Sequence, residues 1–177
     1  MRYVLILLCF VQFLSCTKPK THINEITKVE LARSGAWSDY GAAISVDSSL
    51  NYKYCDNNAK RHYFAGKVGE DFWDTLNRKF ERIKFKSLPA TDNKLIQDAN
   101  YFELIIYWKD SSRRITRARD IKIDSVVNTL IWLNDSYKNV KLHQVNHSIK
   151  FETTYQDPLF PPKPKIDQVK FPPPVKQ

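Results

Sequence analysis

Glycine is scarce in this sequence, with four residues in a chain of 177. Such a low count argues against the glycine-rich loops that cradle nucleotide phosphates. The G-x-S-x-G turn that carries the nucleophilic serine of many hydrolases is also missing. The sequence therefore predicts no catalytic residue and no cofactor.

Cysteine is rarer still, and the three residues are Cys9, Cys16 and Cys55. None of them forms a C-x-x-C pair, the spacing typical of zinc and redox sites. His143 and His147 are four residues apart, but "LHQVNHS" does not have a helical pattern and offers no third ligand. We therefore predict no metal site.

The chain also lacks an apolar run long enough to cross a bilayer. Residues 4–14, "VLILLCFVQFL", would make a helix of about 16 Å, whereas a bilayer core measures about 30 Å. Arg2 precedes the run and polar residues follow it, which is typical of a secretory signal. Residues 1–15 are thus predicted to be a signal peptide. The alternative is a buried N-terminal helix of a cytosolic domain.

The end of this run, Phe13-Leu14-Ser15-Cys16, resembles the lipobox of bacterial lipoproteins. In that family the cysteine receives a diacylglyceryl group on sulfur and becomes the first residue after cleavage. The resemblance implies acylation of Cys16, and an ordinary cleaved signal is the alternative. Two or three acyl chains anchor a protein stably. We therefore expect an exported cell-envelope protein, in the periplasm or on the cell surface, with its lipid in the inner or outer membrane.

Cys55 would then be the single free thiol of the mature chain, which excludes an internal disulfide bond. Buried cysteine behaves as a small hydrophobic residue, and that is the first interpretation. The second is a reactive thiol, which requires a neighbouring cation such as His62 to lower its pKa.

From residue 26 onward, the apolar pattern alternates between that of strands and that of helices. Period-two stretches predict strands at residues 26–33, 42–46, 50–54, 61–67, 101–108 and 113–120, and a last short strand within 142–145 and 148–153. Three- and four-residue spacing predicts a helix that begins at Gly69 and a second one capped by Asp124. The expected fold is α+β, an antiparallel β-sheet packed by two α-helices over residues 26–155. Residues 16–25 are expected to be a flexible lipidated tether.

Proline is concentrated at the other end, where seven of the nine residues lie between Pro158 and Pro174. Such a segment favours extended polyproline II conformation over helix or sheet. Residues 156–177 are thus predicted to be a flexible proline-rich tail. It is a ligand for an aromatic groove, a spacer across the envelope, or a disordered end without a role.

Charge provides the remaining functional signal. The net charge is +9, and it falls by one when Arg2 leaves with the signal peptide. A basic surface is suited to bind anionic lipid, an envelope protein or an acidic polymer. Because exported proteins do not normally meet cellular nucleic acid, we expect no nucleic-acid partner. The densest cluster predicts an anion- or partner-binding face made of Arg113, Arg114, Arg117 and Arg119. The alternative is the charged solvent face of an edge strand.

Residues 26–138 resemble an uncharacterised domain that is common in envelope lipoproteins of Gram-negative bacteria. The matching segments, in order, are "VELARSG", "AAISVDSSLNYKY", "EDFWDTLNRKF", "FKSL", "ELIIYWKDSSRRI" and "DSVVNTLIWL". The resemblance implies a fold and a location, but no activity. The predicted function is a lipid-anchored, non-enzymatic binding or scaffolding module of the envelope. The alternatives are an envelope hydrolase and an inhibitor or chaperone of an exported partner.

Overall fold

The computed structural model describes residues 26–34, 41–58, 60–91, 100–119 and 124–154. The predictions for the signal peptide, the lipidated Cys16, the tether and the proline-rich tail lie outside these residues.

The strands of the described residues form one antiparallel sheet. They are β1 (Ile26–Arg33), β2 (Gly41–Asp47), β3 (Asn51–Asn58), β4 (Lys60–Lys67), β5 (Tyr101–Trp108), β6 (Ser111–Ala118) and β7 (Leu142–Val145). Their order across the sheet is β6-β5-β1-β2-β3-β4-β7. The central strands β1, β5 and β2 are rich in buried apolar residues, so the sheet forms where burial stabilises it most.

Two α-helices pack on one face of this sheet, which we call the helix face. Helix α1 (Glu70–Arg82) has Gly69 as its N-cap, acids in its first turn and basic residues in its last, an arrangement that complements the helix dipole. Helix α2 (Ser125–Asp135) begins at Asp124, whose carboxylate accepts hydrogen bonds from Val126 N at 2.9 Å and Val127 N at 3.0 Å. The predicted α+β class, with two helices on an antiparallel sheet, is confirmed.

The main core lies between the helices and the sheet. Alternate residues of each strand point toward the helices, and the helices contribute residues spaced three or four apart. Its fully buried side chains include Val29, Leu31, Ile44, Val46, Tyr52, Leu76, Phe80, Phe102, Leu104, Ile106, Ile115, Leu130 and Leu133. The Tyr52 hydroxyl is 2.7 Å from Ser136 Oγ inside this core, so its polar atom has a partner.

The largest difference from the predicted strand boundaries is in β3. This strand, predicted to end at residue 54, continues to Asn58 in register with β4. Leu50, expected in β3, instead has a positive φ of 64° in the turn before it. The Asp47 carboxylate organises this turn by accepting hydrogen bonds from Ser49 N and Asn51 N, a side-chain role typical of turns.

The last predicted strand is confirmed only in its first half. β7 covers Leu142–Val145, while residues 149–154 belong to no strand and the chain bends at Glu152. They lie on the face of the sheet opposite the helices. We call residues 149–154 the strap and this face the strap face.

Candidate functional site

The four arginines predicted as a binding face are divided between the two faces of the sheet. On the edge strand β6, Arg113 and Arg117 alternate with the core residue Ile115 and therefore lie on the helix face. Arg117 is only 5% exposed. The alternative of a charged solvent face therefore does not describe Arg117.

Arg113 and Arg117 bind main-chain carbonyls instead of open solvent. Arg113 Nη1 donates to Lys86 O at 2.5 Å, and Arg117 Nη2 donates to Pro89 O at 2.8 Å. Thr116 N donates to Ala90 O at 2.8 Å. The chain that follows α1 therefore runs along the outer edge of β6 and protects it from pairing with another strand.

Arg114 points to the strap face, where it forms an ion pair with Glu103. Its Nη2 also donates to Glu152 O at 3.1 Å. Arg119 follows the end of β6, and its backbone N–H donates to Asn100 O at 2.8 Å. Arg114 thus lies on the opposite face of the sheet from Arg113 and Arg117, and anion binding by the four arginines stays a prediction.

The strap face contains a site that the sequence predictions missed. Glu30 in β1 and Glu103 in β5 are 3% and 2% exposed, although they carry carboxylates. Lys28 Nζ lies 3.2 Å from Glu30 Oε1, and Arg114 is paired with Glu103. A buried carboxylate requires both a counter-charge and hydrogen-bond donors, and the strap supplies the donors.

Each of these two glutamates accepts a backbone hydrogen bond from the strap. Glu152 N donates to Glu30 Oε2 at 2.7 Å, and Thr154 N donates to Glu103 Oε2 at 2.6 Å. Thr154 Oγ1 donates to the same Glu103 oxygen at 3.2 Å. Two buried carboxylates of the sheet thus bind backbone N–H groups that are two residues apart in the strap. The site is therefore a two-carboxylate cradle that holds the strap backbone.

A small apolar cluster completes the cradle. Phe151 is 8% exposed and packs with Ala32, Ala43 and Cys55. Cys55 is 1% exposed, so the interpretation of this thiol as a small buried hydrophobic residue is confirmed. His62 is opposite Asp56 in the β3–β4 register, which places it on the other face from Cys55. The Cys55–His62 pair considered for a reactive thiol therefore does not come together.

The Glu152 carboxylate joins the strap to neighbouring strands. The nearby Tyr107 hydroxyl and the Lys28 ammonium, which donates a hydrogen bond to Glu152 Oε1 at 3.2 Å, hold the pKa of Glu152 below its ordinary value. Burial lowers the pKa of Lys28, but the nearby carboxylates of Glu30 and Glu152 outweigh that effect and raise it overall. Burial and the same carboxylates raise the pKa of Tyr107.

We expect Glu152→Gln to remove part of the acid sensitivity of the fold. A carboxylate whose pKa is depressed on folding stabilises the protein above its unfolded pKa, about 4.3, and this contribution disappears as the pH falls through the folded value. The loss at pH 7 should stay below about 1 kcal/mol, since Glu152 is 55% exposed. Urea unfolding between pH 2 and pH 7 should show wild type and variant converging in acid; a constant gap would contradict this assignment.

A separate cavity of about 430 Å³ opens where α1 begins and α2 ends. Phe72 and Trp132 stack at its side with ring centroids 5.2 Å apart, and Lys79 Nζ lies 4.9 Å from the Trp132 ring centroid.

No group of three His, Cys, Asp or Glu residues within the described ranges is placed to hold a metal ion. Over the same ranges, no helix has the length and hydropathy needed to cross a membrane.

Comparison of the chain with models of known protein families gives no match, and comparison with curated proteins gives none either. The resemblance to the envelope lipoprotein domain therefore stays a prediction.

Proposed function

We propose that this chain is a lipid-anchored envelope protein whose domain is a non-enzymatic scaffold that presents its proline-rich segment to an envelope partner. The anchor is the acylated Cys16, and the signal peptide of residues 1–15 directs export. The partner is an envelope protein or an acidic polymer, since Lys163, Lys165, Lys170 and Lys176 space the tail with positive charge. No nucleic acid is involved.

The cradle is the observation that carries this proposal. Two buried carboxylates, an arginine and an aromatic side chain fix the strap, which ends directly before the proline-rich segment. A terminal segment that is tied down with such a network has a fixed point of departure from the domain. Extended proline-rich chain of this length spans about 65 Å at roughly 3.1 Å per residue, enough to reach a partner away from the anchored domain.

The alternative of an envelope hydrolase finds less support. The thiol and imidazole that the sequence suggested for nucleophilic catalysis lie on opposite faces of the sheet, and the thiol is buried. An activated nucleophile and its base require hydrogen-bond proximity. An inhibitor or chaperone would use the same presented segment, so it is a variant of the scaffold proposal.

The anchor is tested by metabolic labelling with palmitate in the native host. We expect Cys16→Ala to abolish labelling and to move the protein out of the membrane fraction, since a single short apolar run does not span a bilayer. Cys55→Ala is the matched control and should keep both the label and the membrane location. Labelling that survives Cys16→Ala would overturn the anchor.

The scaffold role is tested separately with photo-crosslinking amino acids in the tail. Positions 160 and 171 should crosslink to a discrete envelope component, whereas position 53, on an exposed site of β3, should not. Deletion of residues 157–177 should leave the melting temperature unchanged, as expected if the segment does not pack on the domain. Equal crosslinking from all three positions would contradict a presented segment.

A further inference from the structure

We infer that the corner of the domain formed by Lys84, Lys86, Lys109 and Arg113 is a membrane-facing surface that binds anionic lipid headgroups. This inference rests on the proposed lipid anchor and names the surface that the anchor brings to the bilayer. We call these four residues the basic corner.

The basic corner is held together by contacts between the chain after α1 and the β5–β6 turn. Phe85 packs edge-on against Trp108 with ring centroids 5.4 Å apart, and Lys86 Nζ lies 5.8 Å from the Phe85 centroid. Arg113 is bonded to Lys86 O, and Lys109 follows Trp108 directly. Four cations from two distant parts of the sequence therefore meet at one place.

The backbone at this corner puts lysine where lysine is unfavourable. Lys84 and Lys109 have positive φ values of 52° and 44°, in the left-handed region that glycine and asparagine occupy most easily. Both lysines are exposed, as is Lys86. Long cationic side chains at two turn positions, where a small residue would relieve strain, indicate a use for the charge.

Among the described residues, basic side chains outnumber the acidic ones that are next to the corner in sequence. Asp110 follows Lys109 in the same turn, and Glu81 lies in the last turn of α1 next to Arg82. The four residues of the corner and Arg82 are thus five basic residues against two acidic ones in these described segments, which is a local positive excess. Such an excess attracts an anionic bilayer only within about one Debye length, roughly 8 Å at physiological salt.

The start of the folded domain puts the basic corner next to the tether. Ile26 pairs with Trp108 in the β1–β5 register, so the tether enters the domain beside the basic corner. Nine residues lie between Cys16 and Ile26, and the covalent reach of this stretch is at most about 35 Å, so an anchored domain can bring the corner into contact with the bilayer. Lys18 and Lys20 add positive charge along that path. An acylated Cys16 therefore keeps this end of the sheet close to the headgroups.

The test uses the full chain carrying Cys16→Ser, so that vesicle binding reports the protein surface and not an acyl chain. Flotation is measured with vesicles of pure phosphatidylcholine and with vesicles containing 30% phosphatidylglycerol, and the readout is the ratio of the two partition coefficients. The corner variant is K84N/K86Q/K109N, since asparagine tolerates a positive φ. The matched control is K53Q/R61Q/K150Q, which removes the same charge from exposed positions elsewhere.

We expect the corner variant to lower this ratio on the order of a hundredfold, since each lysine near an anionic surface contributes roughly a fivefold gain in binding. The control should change the ratio by less than about threefold, and circular dichroism should show that both variants are folded. Equal losses in the two variants, or an unchanged ratio in the corner variant, would overturn the inference. Absence of palmitate on Cys16 would overturn the anchor alone, because the vesicle ratio is measured without it.

Discussion

Replacing Glu103 with alanine should lower the free energy of unfolding by about 3 kcal/mol. The carboxylate is 2% exposed and accepts hydrogen bonds from Thr154 N, Thr154 Oγ1 and Arg114. Its removal leaves the partly buried N–H of Thr154 without its carboxylate acceptor. Arg114 is 51% exposed, so water can solvate its guanidinium after the substitution. The loss in free energy of unfolding is therefore at the lower end of the range for breaking a buried ion pair. Urea unfolding monitored by far-UV circular dichroism measures this change.

Glu103→Gln is the matched control for this prediction. Its amide oxygen still accepts the hydrogen bond from Thr154 N, but the ion pair with Arg114 is lost. We therefore expect roughly half of the alanine effect. Equal losses for the two variants would mean that the charge, and not the strap hydrogen bond, stabilises the domain. A loss below about 1 kcal/mol for alanine, the scale of an exposed pair, would show that the cradle does not hold the strap.

The sheet and helices were predictable because each element satisfies one dominant pattern. "YFELIIYW" and "AAISV" place apolar side chains on the helix face, and Asp124 is followed by an apolar helical repeat. Turn geometry was less predictable. In the sequence, Leu50 has the pattern of the first apolar residue of β3. In the structure, the Asp47 carboxylate accepts hydrogen bonds from Ser49 N and Asn51 N, and Leu50 lies in the turn between them.

The cradle was missed because its partners are distant in the sequence. Glu30 meets the N–H of a residue 122 positions away, and Glu103 meets one 51 positions away. A usable signal exists, however: each glutamate interrupts an apolar strand, in "KVELA" and "YFELII". An acid at a central sheet position must be paired or neutralised. An acid at such a position therefore indicates that another segment of the chain covers the sheet there.

The arginine cluster shows how a dense run of charge is divided by the fold. Its members are close in the sequence, but neighbouring strand residues point to opposite faces. Arg114 therefore serves the cradle, and Arg117 serves the chain that covers β6. The basic corner combines Arg113 with lysines from segments 84–86 and 109, which only the folded sheet brings together. Composition thus gives the net charge of the protein, but only the fold determines where on the surface that charge lies.

Phe151→Ala should also cost about 3 kcal/mol, the lower end for a buried phenylalanine, because the side chain is the apolar contact of the strap. It should expose Cys55, which lies beneath it with Ala32 and Ala43. In a Cys9→Ser, Cys16→Ser background, labelling of Cys55 by a thiol reagent under native conditions should accelerate strongly. Unchanged labelling would mean that the strap still covers the thiol.

Combining Phe151→Ala with Glu103→Ala decides whether the strap detaches as one unit. If it does, either change already releases it, and the double variant should lose 1–3 kcal/mol less than the sum of the single losses, the range typical of coupled residues. Phe80→Ala is the control, because Phe80 is fully buried on the helix face and shares no strap contact. Its loss should add to that of Glu103→Ala within about 0.5 kcal/mol. Additivity in both pairs would mean that the carboxylate and the phenylalanine hold the strap independently, so the start of the proline-rich segment would not be fixed cooperatively.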